Sequence, residues 1–226
     1  PALSRAPNPP TSSRWWFSYA TYGRTPRQLE ARSVLDPFMP DCEVRERHRI
    51  RIDAPAEVTM AAARDVSFND SPVVRMIFSL RDLPARLAGT PAPPSVRRST
   101  MEEVLALGWK ELAEEEGRYI AMGAVTQPWR QNVTFRGLSP EAFVAFREPG
   151  FAKIAWTLEV EPTGPSSSVF STETRVVTTD AASREKFRRY WSFLSPGIIF
   201  IRLEMLRLVK ADAERRAARE EFPNRA

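Results

Sequence analysis

Only one histidine occurs in the 226 residues, His48, and it stands two positions from a carboxylate, Glu46. In an extended chain that spacing puts both side chains on one face. An imidazole beside a carboxylate in apolar surroundings suits general-base chemistry: the ring takes the proton and the carboxylate orients it. Neighbours at i and i+2 on one strand can touch, though not ideally. The same pair therefore serves equally as a polar handle for a ligand's hydroxyl or carbonyl. The plainest reading is a core histidine satisfied by hydrogen bonds. It outweighs ligand contact, which in turn outweighs catalysis.

Other chemistry is sparse. The aromatic residues Trp109, Trp156, Phe170, Tyr190 and Trp191 can line a pocket or simply pack between sheet and helix, and a wall residue does both. Trp156 and Tyr190 are the stronger wall candidates. One His and one Cys, Cys42, allow neither a zinc set nor an internal disulfide. There is no glycine-rich phosphate loop and no dinucleotide fingerprint. Ser139-Pro140-Glu141 reads as a helix start rather than a nucleophile elbow. Glu114-Glu115-Glu116 reads as a solvated turn.

The formal net charge is +5, and Lys is scarce beside Arg. A basic balance points toward nucleic acid or anionic lipid. Here the Arg residues alternate with Glu and Asp along most of the chain, so a salt-bridged, solvated surface is the favoured reading and nucleic-acid binding the minor one. The apolar fraction, 42%, is near the globular norm. No apolar run approaches the ~18 residues a membrane-spanning helix needs. A cytoplasmic location is the expectation, with a start at Pro1 that is compatible with processing.

What must position His48 is the strand around it. Over residues 44–53, Val44, Glu46, His48, Ile50 and Ile52 share one face and Arg45, Arg47, Arg49, Arg51 and Asp53 the other. Four Arg in a row predict a water-facing side, and the opposite face then looks into a core or cavity. Pro55 predicts a helix to about Val66, and Asp70-Ser71-Pro72 opens another. Residues 89–95 are a loop. Ser99-Thr100-Met101-Glu102 fits a capping box. Residues 108–115 and 118–126 predict a hairpin turning at Glu116-Gly117, and 131–136 a weaker strand. Ser139 starts a two-turn helix. Residues 152–161 alternate with Ile154, Trp156, Leu158 and Val160 on the buried side. Residues 168–179 form a further strand with Phe170, Thr172, Thr174 and Val176 inward, which sends Glu173 outward toward the Arg row. Asp180 caps a long final helix carrying Phe187, Tyr190, Trp191 and Leu194, then a kink at Pro196-Gly197, then Ile198, Ile201, Met205 and Leu208.

Ahead of this, residues 1–13 predict a disordered leader. Thr25-Pro26 opens a short helix, and the cluster from Arg14 to Tyr19 holds Trp15 and Trp16. These two suit a peripheral membrane contact, although an arm packed on the domain is favoured.

The order of elements resembles the helix-grip superfamily, called START-like or SRPBCC. The resemblance is carried by the run Arg47-His48-Arg49-Ile50-Arg51-Ile52-Asp53-Ala54-Pro55-Ala56-Glu57-Val58, by Ser171-Thr172-Glu173-Thr174-Arg175-Val176, and by Phe187-Arg188-Arg189-Tyr190-Trp191. It covers about residues 40–215. It implies an α+β fold in which a curved antiparallel sheet wraps a long C-terminal helix. It also implies the company of lipid-transfer domains and polyketide cyclases. That superfamily has no universal catalytic residues, so the resemblance assigns none here.

The expected organisation is a peripheral arm (1–40), a helix-grip domain (41–218) and a short tail (219–226). The expected function is binding of a small hydrophobic or lipid-like molecule between sheet and final helix. Its wall is expected to comprise Glu46, His48, Ile50, Ile154, Trp156, Leu158, Tyr190 and Leu194, with no metal and no cofactor. Binding is favoured over catalysis. The alternatives are a cyclase- or hydratase-type enzyme using His48, and an interaction module docking a membrane or partner.

Overall fold

The computed structural model describes residues 32–67, 99–130 and 132–221. The expectations for the leader, for Trp15 and Trp16, for the helices opening at Thr25 and Asp70, and for the loop at 89–95 lie outside the described residues.

Strand β1 (Val44–Ile52) leads into helix α1 (Ala56–Asp65). Helix α2 (Thr100–Ala106) precedes the hairpin β2 (Lys110–Glu115) and β3 (Tyr119–Thr126). A two-residue β4 (Phe135–Arg136) and a short α3 (Pro140–Ala145) follow. Then come β5 (Ala152–Gly164), β6 (Ser167–Thr178) and the 41-residue α4 (Ala181–Glu221).

Local chemistry accounts for most of these boundaries. Ser99 and Glu102 make both bonds of the capping box. The hairpin turns at Gly117, whose φ of +73° suits a residue without Cβ. Asp180 accepts the Ser183 amide at 2.8 Å and so starts α4. Two expectations need correction. Of the described residues 132–136 only Phe135 and Arg136 pair. The two long strands run past their expected ends at 161 and 168, pairing as far as Gly164 with Ser167 after a register shift between Pro162 and Gly164. Helix α4 runs through Pro196-Gly197 as one span.

The strands form one antiparallel sheet in the order β1-β6-β5-β3-β2, with β4 beside β3. In the β1–β6 register Glu46 opposes Thr174 and His48 opposes Thr172. Helix α4 and helix α1 cover the inner face. Ile52, Met60, Ile120, Met122, Val160, Phe170, Leu206 and Val209 form the largest apolar cluster there. A second inner cluster gathers Val44, Ala152, Val176, Phe187 and Trp191 nearer the start of α4. Polar ties fasten the other end of the helix: Lys210 Nζ donates to Arg51 O at 3.0 Å, and Arg216 pairs with Asp65 of α1 at 2.8 Å.

The outer face is not the open water-facing side that the Arg row predicts. Residues 33–42 and α3 lie over it, and Leu35, Met39, Val125, Phe143 and Ala155 make a third buried cluster. The packed unit therefore takes in residues 33–40. Arg49 and Arg51 are exposed, but Arg45 and Arg47 are half-buried in ion pairs. Glu173, 1% exposed, accepts from Arg45 Nε at 2.9 Å and from Arg175 Nε at 2.6 Å. Arg175, also 1% exposed, donates through Nη2 to Asp36 at 2.6 Å and through Nη1 to Met39 O at 2.6 Å. Burial works against the Asp36 carboxylate, but the Ser33 amide and Arg175 outweigh it and hold its pKa below the usual range. The expected meeting of Glu173 with the Arg row is thus made, in a dry place.

Lys153 shares this face at 6% exposure, its ammonium 4.9 Å from the centre of the Phe143 ring. Burial, helped by the charge of Arg147, lowers its pKa from 10.5 to about 8. Between those values the unfolded chain binds more protons than the folded one, so this residue's contribution to stability rises with pH across that window.

Two outcomes follow in denaturant titrations. Arg175→Met leaves Glu173 underpaired in a dry site and lowers stability by about 3 kcal/mol, whereas Glu173→Leu/Arg175→Met together recover most of it. Lys153→Met raises stability at neutral pH by about 1–2 kcal/mol, and the gain shrinks as pH climbs from about 8 toward 10.5. A gain independent of pH would contradict the assigned protonation.

Candidate functional site

The two inner apolar clusters are distinct, and polar residues stand among the apolar ones where they adjoin. On β1 the outer members of the inner face, Val44 and Ile52, are buried, while Glu46, His48 and Ile50 between them stay partly accessible. On β6 Phe170 and Val176 are buried and Thr172 is partly accessible. Strand β5 repeats the pattern: Ala152 and Val160 are buried, and Ile154 and Trp156 are not fully so. In the antiparallel register His48 stands beside Thr172, Glu46 and Trp156 flank the buried Thr174, and Ile154 stands beside the buried Val176.

His48 Nε2 lies 3.6 Å from Glu46 Oε2, too far for a hydrogen bond, and has no hydrogen-bond partner among the described residues. The orienting carboxylate–imidazole bond that base chemistry requires is therefore not made. Facing this pair from α4 is Arg202. Its Nη1 is out of contact with solvent and also lacks a hydrogen-bond partner among the described residues. Burial lowers the Arg202 pKa to about 10, and the negative charge of Glu46 opposes that fall. A guanidinium, an imidazole and a carboxylate thus meet where aliphatic packing would be expected. The arrangement can offer hydrogen-bond donors and positive charge to an acceptor; it holds no assembled proton-relay pair. Among the described residues no three His, Cys, Asp or Glu side chains gather as metal ligands.

The remaining expected wall residues divide. Ile154 and Tyr190 pack beside the cluster of Val44 and Phe187, with the Tyr190 and Phe187 rings 6.0 Å apart. Ile50 and Trp156 pack beside the larger cluster, and Trp156 meets Trp109 edge-on at 6.2 Å. Leu158 is a buried core residue. Leu194 is 39% exposed and stands apart from both inner clusters. Phe170 and Trp191 are core.

Arg202 escaped the sequence reading, although its position carried a signal. It falls four residues after Ile198 and three before Met205, on the stripe those two define, so helical periodicity already turns it toward the sheet. A separate open groove of about 1060 Å³ lies between α1 and the β2–β3 turn, lined by residues including Met60, Ala61, Arg64, Glu114 and Arg118. Met60, whose other side belongs to the inner apolar cluster, forms part of its wall, none of Glu46, His48 and Arg202 does, and its Arg64 and Glu114 pair with each other.

A polar atom kept dry without a partner weakens a fold. His48→Leu is accordingly expected to raise stability by about 1 kcal/mol in urea unfolding. A loss of that size would mark His48 as a structural residue.

No family model matches the chain, and no curated protein matches it in sequence. Among solved structures it is similar to the Zhui aromatase/cyclase from Streptomyces sp. R1128, at 13% identity and a TM-score of 0.32, over 76% of this chain and 94% of that one. It is similar to CalU16 from Micromonospora echinospora at 17% identity and a TM-score of 0.26, over 77% and 86% of the two chains. It is also similar to norcoclaurine synthase from Thalictrum flavum, solved with dopamine and hydroxybenzaldehyde, at 13% identity and a TM-score of 0.25, over 79% and 92%. Overlaps of this extent supply no residue correspondences. The chain's own strand order and its long terminal helix across the sheet give the architecture: an α+β helix-grip fold.

Proposed function

We propose that this protein binds a small, largely apolar molecule between the inner face of its sheet and α4. The observation that carries the reading is the break in the inner core. Val44 and Ile52 are buried at the ends of β1, while Glu46, His48 and Ile50 between them, Thr172 beside His48, and Ile154 and Trp156 on β5 keep part of their surface accessible. A sheet packed only for stability closes such a strip with aliphatic side chains. Concave sites of this composition, mostly apolar with a few convergent polar groups, suit small-molecule ligands. His48 and Glu46 supply the handle, and Ile154, Trp156 and Tyr190 the apolar wall. Leu194, being exposed, is left out of that wall.

Catalysis by His48, as in a cyclase- or hydratase-type enzyme, ranks second, because His48 and Glu46 are not hydrogen-bonded to each other. Docking through Trp15 and Trp16 rests on residues outside those described. No helix among the described residues is long and apolar enough to cross a membrane.

The neutral fluorophore N-phenyl-1-naphthylamine tests the reading. Saturable emission enhancement at one site is expected, and Ile154→Trp, which fills the strip, should abolish it while the circular dichroism spectrum is kept. His48→Ala should weaken binding only a few-fold, as for loss of one hydrogen bond worth about 1 kcal/mol. Absence of saturable binding, or binding untouched by the filled strip, would remove the proposal.

A further inference from the structure

Building on the binding reading, we propose that the inner-face site takes an apolar molecule ending in a carboxylate, with Arg202 as its anchor and His48 as a second donor. Arg202 Nη1 and His48 Nε2 are both kept from solvent, and neither has a hydrogen-bond partner among the described residues. They approach the same strip from opposite walls, α4 and β1, and Glu46 relates them: it lies 3.6 Å from the imidazole and acts on the charge of the guanidinium.

The two nitrogens call for an acceptor, and the guanidinium calls for more. Arg does not relieve a dry environment by losing its proton, so the cost of burying it is offset only by opposite charge. Glu46 supplies part of that charge without accepting from Nη1. A neutral carbonyl would fill the hydrogen bond and leave the electrostatic deficit. A carboxylate fills both, and its planar pair of oxygens matches the guanidinium fork. The outer face offers an internal comparison. There the buried Arg175 is met by Glu173, Asp36 and a backbone carbonyl. Every nitrogen of the buried Arg175 has a partner, whereas Arg202, half-buried as a residue, keeps one dry nitrogen without one among the described residues.

Apolar side chains adjoin these polar groups. Ile198 and Met205 lie one turn to either side of Arg202 on α4, and Ile154 and Trp156 lie on the sheet. One end of the ligand is therefore charged and the rest is not.

Displacement of N-phenyl-1-naphthylamine by dodecanoate and by dodecan-1-ol, at a pH well above the pKa of the acid, separates the possibilities. The two competitors share a chain and differ at the head. Dodecanoate is expected to compete at about tenfold lower concentration than the alcohol, and Arg202→Met is expected to erase that advantage when both competitors are read against the variant's own fluorophore affinity. Equal competition by acid and alcohol overturns the carboxylate assignment and leaves the apolar site standing. Failure of the fluorophore to bind overturns both. Should Arg202→Met not fold, the ratio of acid to alcohol measured on the unmodified protein is enough to uphold or overturn the assignment.

Discussion

A slip of one residue in the pairing of β1 with β6 would exchange the two faces of the sheet, and both the buried ion pairs and the inner strip exist only because that slip does not occur. In the observed register Glu46 and His48 stand opposite Thr174 and Thr172 and face α4. Arg45 and Arg47 stand opposite Arg175 and Glu173 and face the segment at 33–42. The alternative would drive a string of Arg side chains against Phe187 and Leu206 and expose the isoleucines. Neither face tolerates that, so register is strongly specified. The ion pairs from Glu173 to Arg45 and Arg175 reinforce it, since their geometry closes only when charges of opposite sign fall on one side.

Within that frame both faces hold dry charged groups, and on the outer face Arg47 Nε also lacks a hydrogen-bond partner among the described residues. Outside, Arg175 and Glu173 are dry but fully engaged, and Asp36 and Met39 complete the set. Such an arrangement adds little net stability compared with apolar side chains, yet it is costly to disrupt, and here it holds residues 33–42 against the sheet. Inside, Arg202 and His48 each keep a nitrogen that no described residue satisfies. A fold selected for stability alone has no reason to retain such groups, whose penalty runs to about 1–3 kcal/mol each. Residues that break the packing rules tend to sit where a protein acts.

Much of the scaffold was legible before any coordinates. The alternation of β1, the capping box at Ser99 and the Asp180 cap each rest on chemistry confined to a few neighbouring residues, and the structure contains all three. What failed is what needs knowledge of a distant partner. Alternation states that Arg45 and Arg47 share a side; it cannot state that Leu35 and Met39 come to cover it. Nothing local to Pro162 announces that the pairing of β5 with β6 continues past it. Of the site, Glu46 and His48 were legible from position alone. Arg202 was hidden by the habit of scoring only apolar residues on an amphipathic stripe, although the spacing from Ile198 to Met205 encloses it.

The strand order has a consequence for how the chain comes together. Among the described residues strand β1 lies at the margin of the sheet with β6 as its one neighbour, and the ion pair of Arg45 with Glu173 spans 128 residues. While the polypeptide emerges from the ribosome, the first strand waits for nearly the last, and the terminal helix must follow before the concave side is sealed. The opening segment therefore spends that interval with an unpaired backbone and its isoleucines uncovered. Long-range closure of this kind folds slowly and leaves nascent chains open to wrong pairings. The charged alternation that later anchors the sheet meanwhile acts as protection, because a strand studded with Arg repels its own copies.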